Sequence, residues 1–144
     1  MEPRAITVLV VDDEDDIRLL VRALLERDGM RVVEQALDGL DALITVARLA
    51  PPPVPTVIVL DNMMPALSGL EVARQIFKQI PNQLIVLFSA HLTPAIEEEA
   101  RAIGIAACVA KNDVSDLPDI INELVEATDV DLREAIADPA RREP

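Results

Sequence analysis

The sequence predicts an α/β fold, a five-stranded parallel sheet that is doubly wound, with helices on both faces. Two observations carry this reading. Short, β-branched apolar runs alternate five times with segments of helical period, the signature of repeated strand–helix–strand units. Three of those five runs are apolar nearly throughout, as strands covered on both faces must be. Right-handed crossovers then leave little choice but a parallel sheet.

The elements follow in order. "AITVLVV" (5–11) is the first strand, and Ile17, Leu20, Val21, Leu24 and Leu25 form the stripe of the first helix. Gly29 marks the turn into "RVVEQA" (31–36), the second strand, and Gly39 opens a weaker helical pattern over 39–49. The cluster "PPPVP" (51–55) is expected to form a stiff extended connector that launches the third strand, "PTVIVL" (55–60). Leu70, Ala73, Ile76, Phe77 and Ile80 repeat at helical spacing, and Pro81 closes that helix before "QLIVLFS" (83–89). A second weak helix over 95–103 ends at Gly104, ahead of the fifth strand, "ACVA" (107–110). Leu117, Ile120, Ile121, Leu124 and Val125 keep the helical period most cleanly. The domain is expected to span 1–128. Residues 129–144 form a charged, proline-ended tail in which a frayed terminus is favoured over one short helix at 129–137.

Composition excludes several function classes. At 144 residues the chain is one domain, large enough to bury a core. Its net charge of −13 argues against nucleic acid and anionic membrane surfaces and suits a cation or a basic partner. With two Phe and no Tyr or Trp, stacking on bases is unavailable. Cys108 is the only cysteine, so no internal disulfide forms. The N-terminal apolar run is too short for a signal peptide, and no run reaches the ~20 residues of a membrane span. The cytoplasm is the expected location.

In an open parallel sheet, ligands bind beyond the carboxyl ends of the strands. The first strand ends in Asp12 and Asp13, the third in Asp61, the fourth in Ser89 and the fifth in Lys111. Three carboxylates on one rim call for a cation, and Mg²⁺ suits a site of few carboxylates plus a phosphate. Lys111 could pair with a phosphoryl group, Ser89 could donate its hydroxyl, and Asp61 could be the nucleophile that yields an acyl phosphate. Taken singly, a strand-ending Asp is a helix cap and a loop Ser or Lys is solvated surface. Their joint occurrence at four strand ends favours a site. The acidic run "DDEDD" (12–16) then divides: Asp12 and Asp13 belong to the rim. Glu14, Asp15 and Asp16 lead into the first helix, where Asp15 or a neighbour is expected to cap it.

These residues bring a resemblance into view. "VLVVDDEDDIRLLV", "VIVLDNMMPALSGLEVARQI", "LFSAH" and "GIAACVAKND" are similar, over residues 5–127, to the receiver domain of bacterial two-component response regulators. The resemblance implies a flavodoxin-like sheet of order 2-1-3-4-5. It implies that Asp61 accepts a phosphoryl group from a phosphohistidine on a sensor histidine kinase or a histidine phosphotransfer protein. Mg²⁺ would be held by Asp13, Asp61 and the backbone carbonyl of Met63, with Asp12 acting through a water. Lys111 would pair with the phosphoryl oxygens, and Ser89 would swing toward them as a switch. Met63 and His91 would tune dephosphorylation. Pro65 and Gly69 would shape the turn into the third helix, Gly69 through a backbone angle that other residues resist. Two positions depart from the family pattern. Cys108 stands where the switch is usually aromatic and is expected to be a small buried core residue. Asn112 follows Lys111 where relatives often have proline, so the loop before the fifth helix is expected to be looser.

The leading expectation is thus a stand-alone, single-domain signalling switch. It would catalyse only its own phosphorylation and slow autodephosphorylation. Output would pass to a downstream protein through the face of the fourth helix, fifth strand and fifth helix, and a homodimer is a further expected partnership. Glu97, Glu98 and Glu99 make part of that face acidic. One alternative is a receiver-like binding module that acts without phosphorylation, suggested by Cys108. A remote alternative is a phosphohydrolase of the haloacid-dehalogenase kind. That family needs a second Asp two residues after the nucleophile, where Met63 stands, and an acidic pair that follows the nucleophile instead of preceding it.

Overall fold

Period-two alternation divides the strands between two cores. In the computed structural model, which describes residues 5–49 and 55–137, ten elements alternate. They are β1 (Thr7–Val11), α1 (Asp15–Arg27), β2 (Arg31–Ala36), α2 (Gly39–Leu49), β3 (Val57–Leu60), α3 (Gly69–Gln79), β4 (Leu84–Ser89), α4 (Pro94–Ile103), β5 (Ala107–Ala110) and α5 (Leu117–Ala137). The strands pair in parallel in the order β2-β1-β3-β4-β5, the doubly wound sheet the sequence predicts. On one face Leu9, Val11, Ile58, Leu60, Ile85 and Leu87 pack against α2, α3 and α4 through Val46, Val72 and Ala100. On the other, Val8, Val10, Val57, Val59, Val86, Phe88 and Val109 pack against α1 and α5 through Val21, Leu25, Leu117 and Ile121. The three central strands are buried on both faces, which is why their sequences show no polar alternation.

The helix ends are set by local chemistry. Ser68 and Thr93 cap α3 and α4, each accepting from a backbone N–H three residues on at 3.2 Å. Gly104 ends α4 in the left-handed region, at φ +108°. The opposite end of the sheet is tied by Gln83, whose side-chain amide donates to the carbonyls of Pro55 at 3.1 Å and Leu84 at 3.2 Å.

Several expectations need correction. The fifth helix does not end at 128: α5 is continuous from Leu117 to Ala137, so the boundary drawn there falls inside it. Neither a frayed end nor a separate short helix occupies 129–137, because no Gly or Pro interrupts the chain between Pro118 and Pro139. Residues 111–116 form a 3-10 turn running into α5 in place of a looser loop, with Val114 packed against the α1/α5 core. Leu20, placed on the buried stripe of α1, is 44% exposed, while Arg18 is buried. Glu14 occupies the cap position of α1 and makes no side-chain cap bond, and Asp15 pairs with Arg18 instead. Residues 50–54, most of the proline cluster, lie outside the described residues. Among the described residues no helix is long and apolar enough to cross a membrane.

Candidate functional site

The site is built at the carboxyl ends of neighbouring strands. Asp61 N–H donates to the Val11 carbonyl at 2.9 Å and Asp12 N–H to that of Ala36 at 3.2 Å, so the ladder carries one residue past β1 and β3. Both carboxylates are thereby held side by side and each residue is 1% exposed. Asp13 is exposed, yet Asp12, Asp13 and Asp61 present oxygens that all lie within 4.8 Å of one another. Lys111, the residue after β5, reaches back across the rim. Its Nζ stands 2.9 Å from Asp12 Oδ2 and 3.5 Å from Asp61 Oδ2. Between them β4 ends in the fully buried Ser89, whose Oγ accepts from His91 N–H at 3.3 Å. Its hydroxyl hydrogen remains a donor. The His91 side chain itself is exposed, as is that of Met63.

Burial and charge set the titration of the pair. Asp61 is pushed up to about 6, first by burial and then by the charge of Asp12, while Met63 N–H and Lys111 pull it down. Burial also pulls on the Lys111 ammonium, downward, but Asp12 above all, then Asp61 and Glu14, outweigh it and the net direction is up. Lys111 is a fixed cation among acids that resist sharing the space.

The acids fit a divalent cation on two grounds. They are three hard oxygen donors converging from two strands. Asp12 Oδ2 is also buried, with no hydrogen-bond partner among the described residues beyond the Lys111 ammonium, so one lone pair there stays free.

Three supporting residues escaped the sequence reading. Arg18 donates to the Asp12 carbonyl at 2.6 Å and pairs with Asp15, locking the end of β1 from beneath. Its only signal was a cation two residues past the acidic run. Glu14 reaches Lys111 at 3.5 Å, besides donating its N–H to Asp12 Oδ1 at 2.9 Å. Asn62 is buried and accepts from Leu70 N–H at 3.1 Å, tying the Asp61 loop to α3.

Gly69 is required for a different reason from the one expected. Its φ lies outside the left-handed region, but a Cβ there would meet the Asp61 carbonyl oxygen at 2.3 Å and Asn62 Cα at 2.9 Å. The backbone at Asp61 and Asn62 passes too close for a side chain. The left-handed residue of this loop is Ala66, φ +69°, spanned by a Leu67 N–H to Pro65 carbonyl bond of 2.8 Å. That is a γ-turn of the rare, strained hand.

Cys108 is partly buried against the core on the α4 side. It lines a shallow cavity of about 250 Å³ with Glu97, Arg101 and Ile105–Ala107. Burial and then Glu97 push its thiol up, against the pull of Arg101, which keeps it in the unreactive, protonated form.

With this geometry in hand, comparison with known proteins is direct. Residues 8–122 match the model of the response regulator receiver domain. The chain is 36% identical over 121 residues to a protein-glutamate methylesterase/protein-glutamine glutaminase of Archaeoglobus fulgidus, covering 82% of this chain and 34% of that protein. It is 39% identical over 84 residues to one from Hahella chejuensis, covering 58% of this chain and 23% of the relative. The chain thus spans only about a quarter to a third of the length of these curated relatives. Among solved structures it superposes on the Francisella response regulator 1452 receiver domain with a TM-score of 0.75 at 28% identity, covering 85% and 98% of the two chains. The BeF3-activated DrrB receiver domain matches with a TM-score of 0.72 at 25% identity, covering 85% and 99%. A rim of acids answered by one lysine, on a sheet of this winding and with a family match over nearly the whole described domain, leads to one conclusion: the chain belongs to the response regulator receiver domain family.

Proposed function

We propose that the protein is a phosphorylation switch whose acceptor is Asp61. The observation that carries this reading is the convergence of Asp12, Asp13 and Asp61 with Lys111 at one rim. An Asp61 carboxylate oxygen forms the new bond to phosphorus as the P–N bond of a phosphohistidine breaks, the electron pair returning to the imidazole nitrogen. The donor is a sensor histidine kinase or a histidine phosphotransfer protein. Asp13, Asp61 and the Met63 carbonyl would hold Mg²⁺, with Asp12 acting through a water. When bound, the ion neutralises charge that builds on the transferring oxygens. Lys111 supplies the remaining positive charge, and Ser89 has its hydroxyl hydrogen free for a phosphoryl oxygen. Met63 and His91 flank the opening and set access of water to the acyl phosphate, so the protein slowly removes its own phosphate and has no other enzymatic role.

Output passes through the α4–β5–α5 face to another protein, in the cytoplasm. The cavity beside Cys108 lies on that face. With a thiol in place of a ring at 108, the switch runs through Ser89 and the β4–α4 loop, biasing a two-state equilibrium of that face. The curated relatives, which are longer, carry methylesterase and glutaminase activities in their names.

The test is intact mass after incubation with a small acyl phosphate and Mg²⁺. One phosphoryl adduct that needs Mg²⁺ and is absent in Asp61→Ala supports the switch. No adduct under any condition points to the binding module, and multiple turnover of unrelated phosphomonoesters to a hydrolase.

A further inference from the structure

The Lys111 ammonium has three N–H donors and three carboxylate partners. These are Asp12 Oδ2 at 2.9 Å, Asp61 Oδ2 at 3.5 Å and Glu14 Oε1 at 3.5 Å. A phosphoryl oxygen that pairs with Lys111 must displace one of them, and the three are unequal. Asp12 is buried with no other partner for its Oδ2 among the described residues, so releasing it would strand a buried charge. Asp61 is the acceptor and stays attached to whatever arrives. The side chain of Glu14 is 62% exposed, so water replaces its partner at little cost. Its backbone N–H is anchored on Asp12 Oδ1 at 2.9 Å, which lets the carboxylate leave without disturbing the rim.

We propose, resting on the phosphoacceptor reading above, that Glu14 is a positioning residue acting through Lys111. Its carboxylate occupies the donor that an incoming phosphoryl group needs. Glu14 therefore holds down both the rate of phosphorylation and the affinity for phosphoryl mimics, and it keeps the lysine in register before phosphorylation. The acid that reads in sequence as the lead-in to a helix is the exchangeable member of the lysine's shell.

The experiment compares wild type, Glu14→Gln, Lys111→Met and the double variant at saturating Mg²⁺. Adduct formation from acetyl phosphate is followed by intact mass, and beryllofluoride affinity by fluorine NMR. Glu14→Gln should gain about two- to five-fold in rate, the scale of an exposed ion pair, with beryllofluoride binding tightened by a similar factor. Glu26→Gln, which removes another exposed acid, paired with Arg22 on α1, should leave both unchanged and so exclude a general charge effect. In the Lys111→Met background the gain should vanish, since the effect runs through the ammonium. Equal rates in wild type and Glu14→Gln, or a gain that survives Lys111→Met, would overturn the proposal. Where Lys111→Met forms no adduct, the beryllofluoride affinity of Glu14→Gln decides: tighter supports it, unchanged overturns it. An absent adduct in the wild type brings down the phosphoacceptor reading itself, whereas a wild-type adduct with an indifferent Glu14→Gln brings down this inference alone.

Discussion

Replacing Asp61 by Asn should stabilise the metal-free protein, and only on the alkaline side. Asp61 is 1% exposed, and its carboxyl is pushed from 3.8 up to about 6, by burial first and Asp12 second. An acid whose folded pKa lies above its unfolded one binds more protons folded than unfolded across that interval. Its contribution to stability is therefore complete below pH 3.8 and is lost as pH rises through about 6. At about 1.4 kcal/mol per pH unit, that interval is worth roughly 3 kcal/mol at pH 8. Asparagine keeps the acceptor for Met63 N–H and removes the charge, so it recovers up to that amount. In a domain of this size the gain is a rise of about 6–12 °C in Tm. Far-UV circular dichroism in the presence of a chelator is the assay, since the chain has no Trp or Tyr for fluorescence. The variant should exceed wild type at pH 8 and converge with it near pH 4. Equal Tm values at pH 8, or an offset of the same size at both, would refute the claim that Asp61 is a strained buried charge.

Three further outcomes follow from the same geometry. Millimolar Mg²⁺ should raise the Tm of wild type in proportion to RT ln(1 + [Mg²⁺]/Kd) and that of Asp61→Asn by clearly less; equal rises would place the ion elsewhere. Gly69→Ala should cost about 1–3 kcal/mol in urea unfolding and slow adduct formation, because its Cβ would lie 2.3 Å from the Asp61 carbonyl oxygen; a neutral variant would show that this loop yields freely. Arg18→Met should cost about 1–3 kcal/mol, read from the same urea curves, since the bond of 2.6 Å to the Asp12 carbonyl is buried and charge-assisted; stability within experimental error would mean that water replaces the guanidinium.

The parts legible in sequence were those that depend on local pattern. Apolar runs without polar alternation named the buried strands, and residues ending those runs named Asp12, Asp61, Ser89 and Lys111 as rim candidates. Leu20 shows where pattern fails. It shares the helical period of Val21, yet α1 has only so much sheet beneath it, and the buried position goes to Arg18. Gly69 was recognised for its type and misread for its cause, because close approach of a distant backbone leaves no local signature. The length of α5 escaped for a similar reason: a polar, weakly patterned helix has only its missing breakers to announce it.

By itself, then, the sequence determined the alternation of strands and helices, the two-sided burial of the central strands and the list of residues at the strand ends. Those follow from side-chain periodicity and from the φ/ψ preferences of short segments, which act within a few residues. Tertiary structure alone decided that Glu14 joins Asp12 and Asp13 at the site by completing the Lys111 shell, and that Arg18 anchors Asp12 from below. These contacts are set by strand order and register: β1 beside β3, and β5 two strands further on with a lysine long enough to reach back. Electrostatic energy at that rim depends on distances of a few ångströms between residues up to a hundred positions apart, a quantity that only the folded sheet defines.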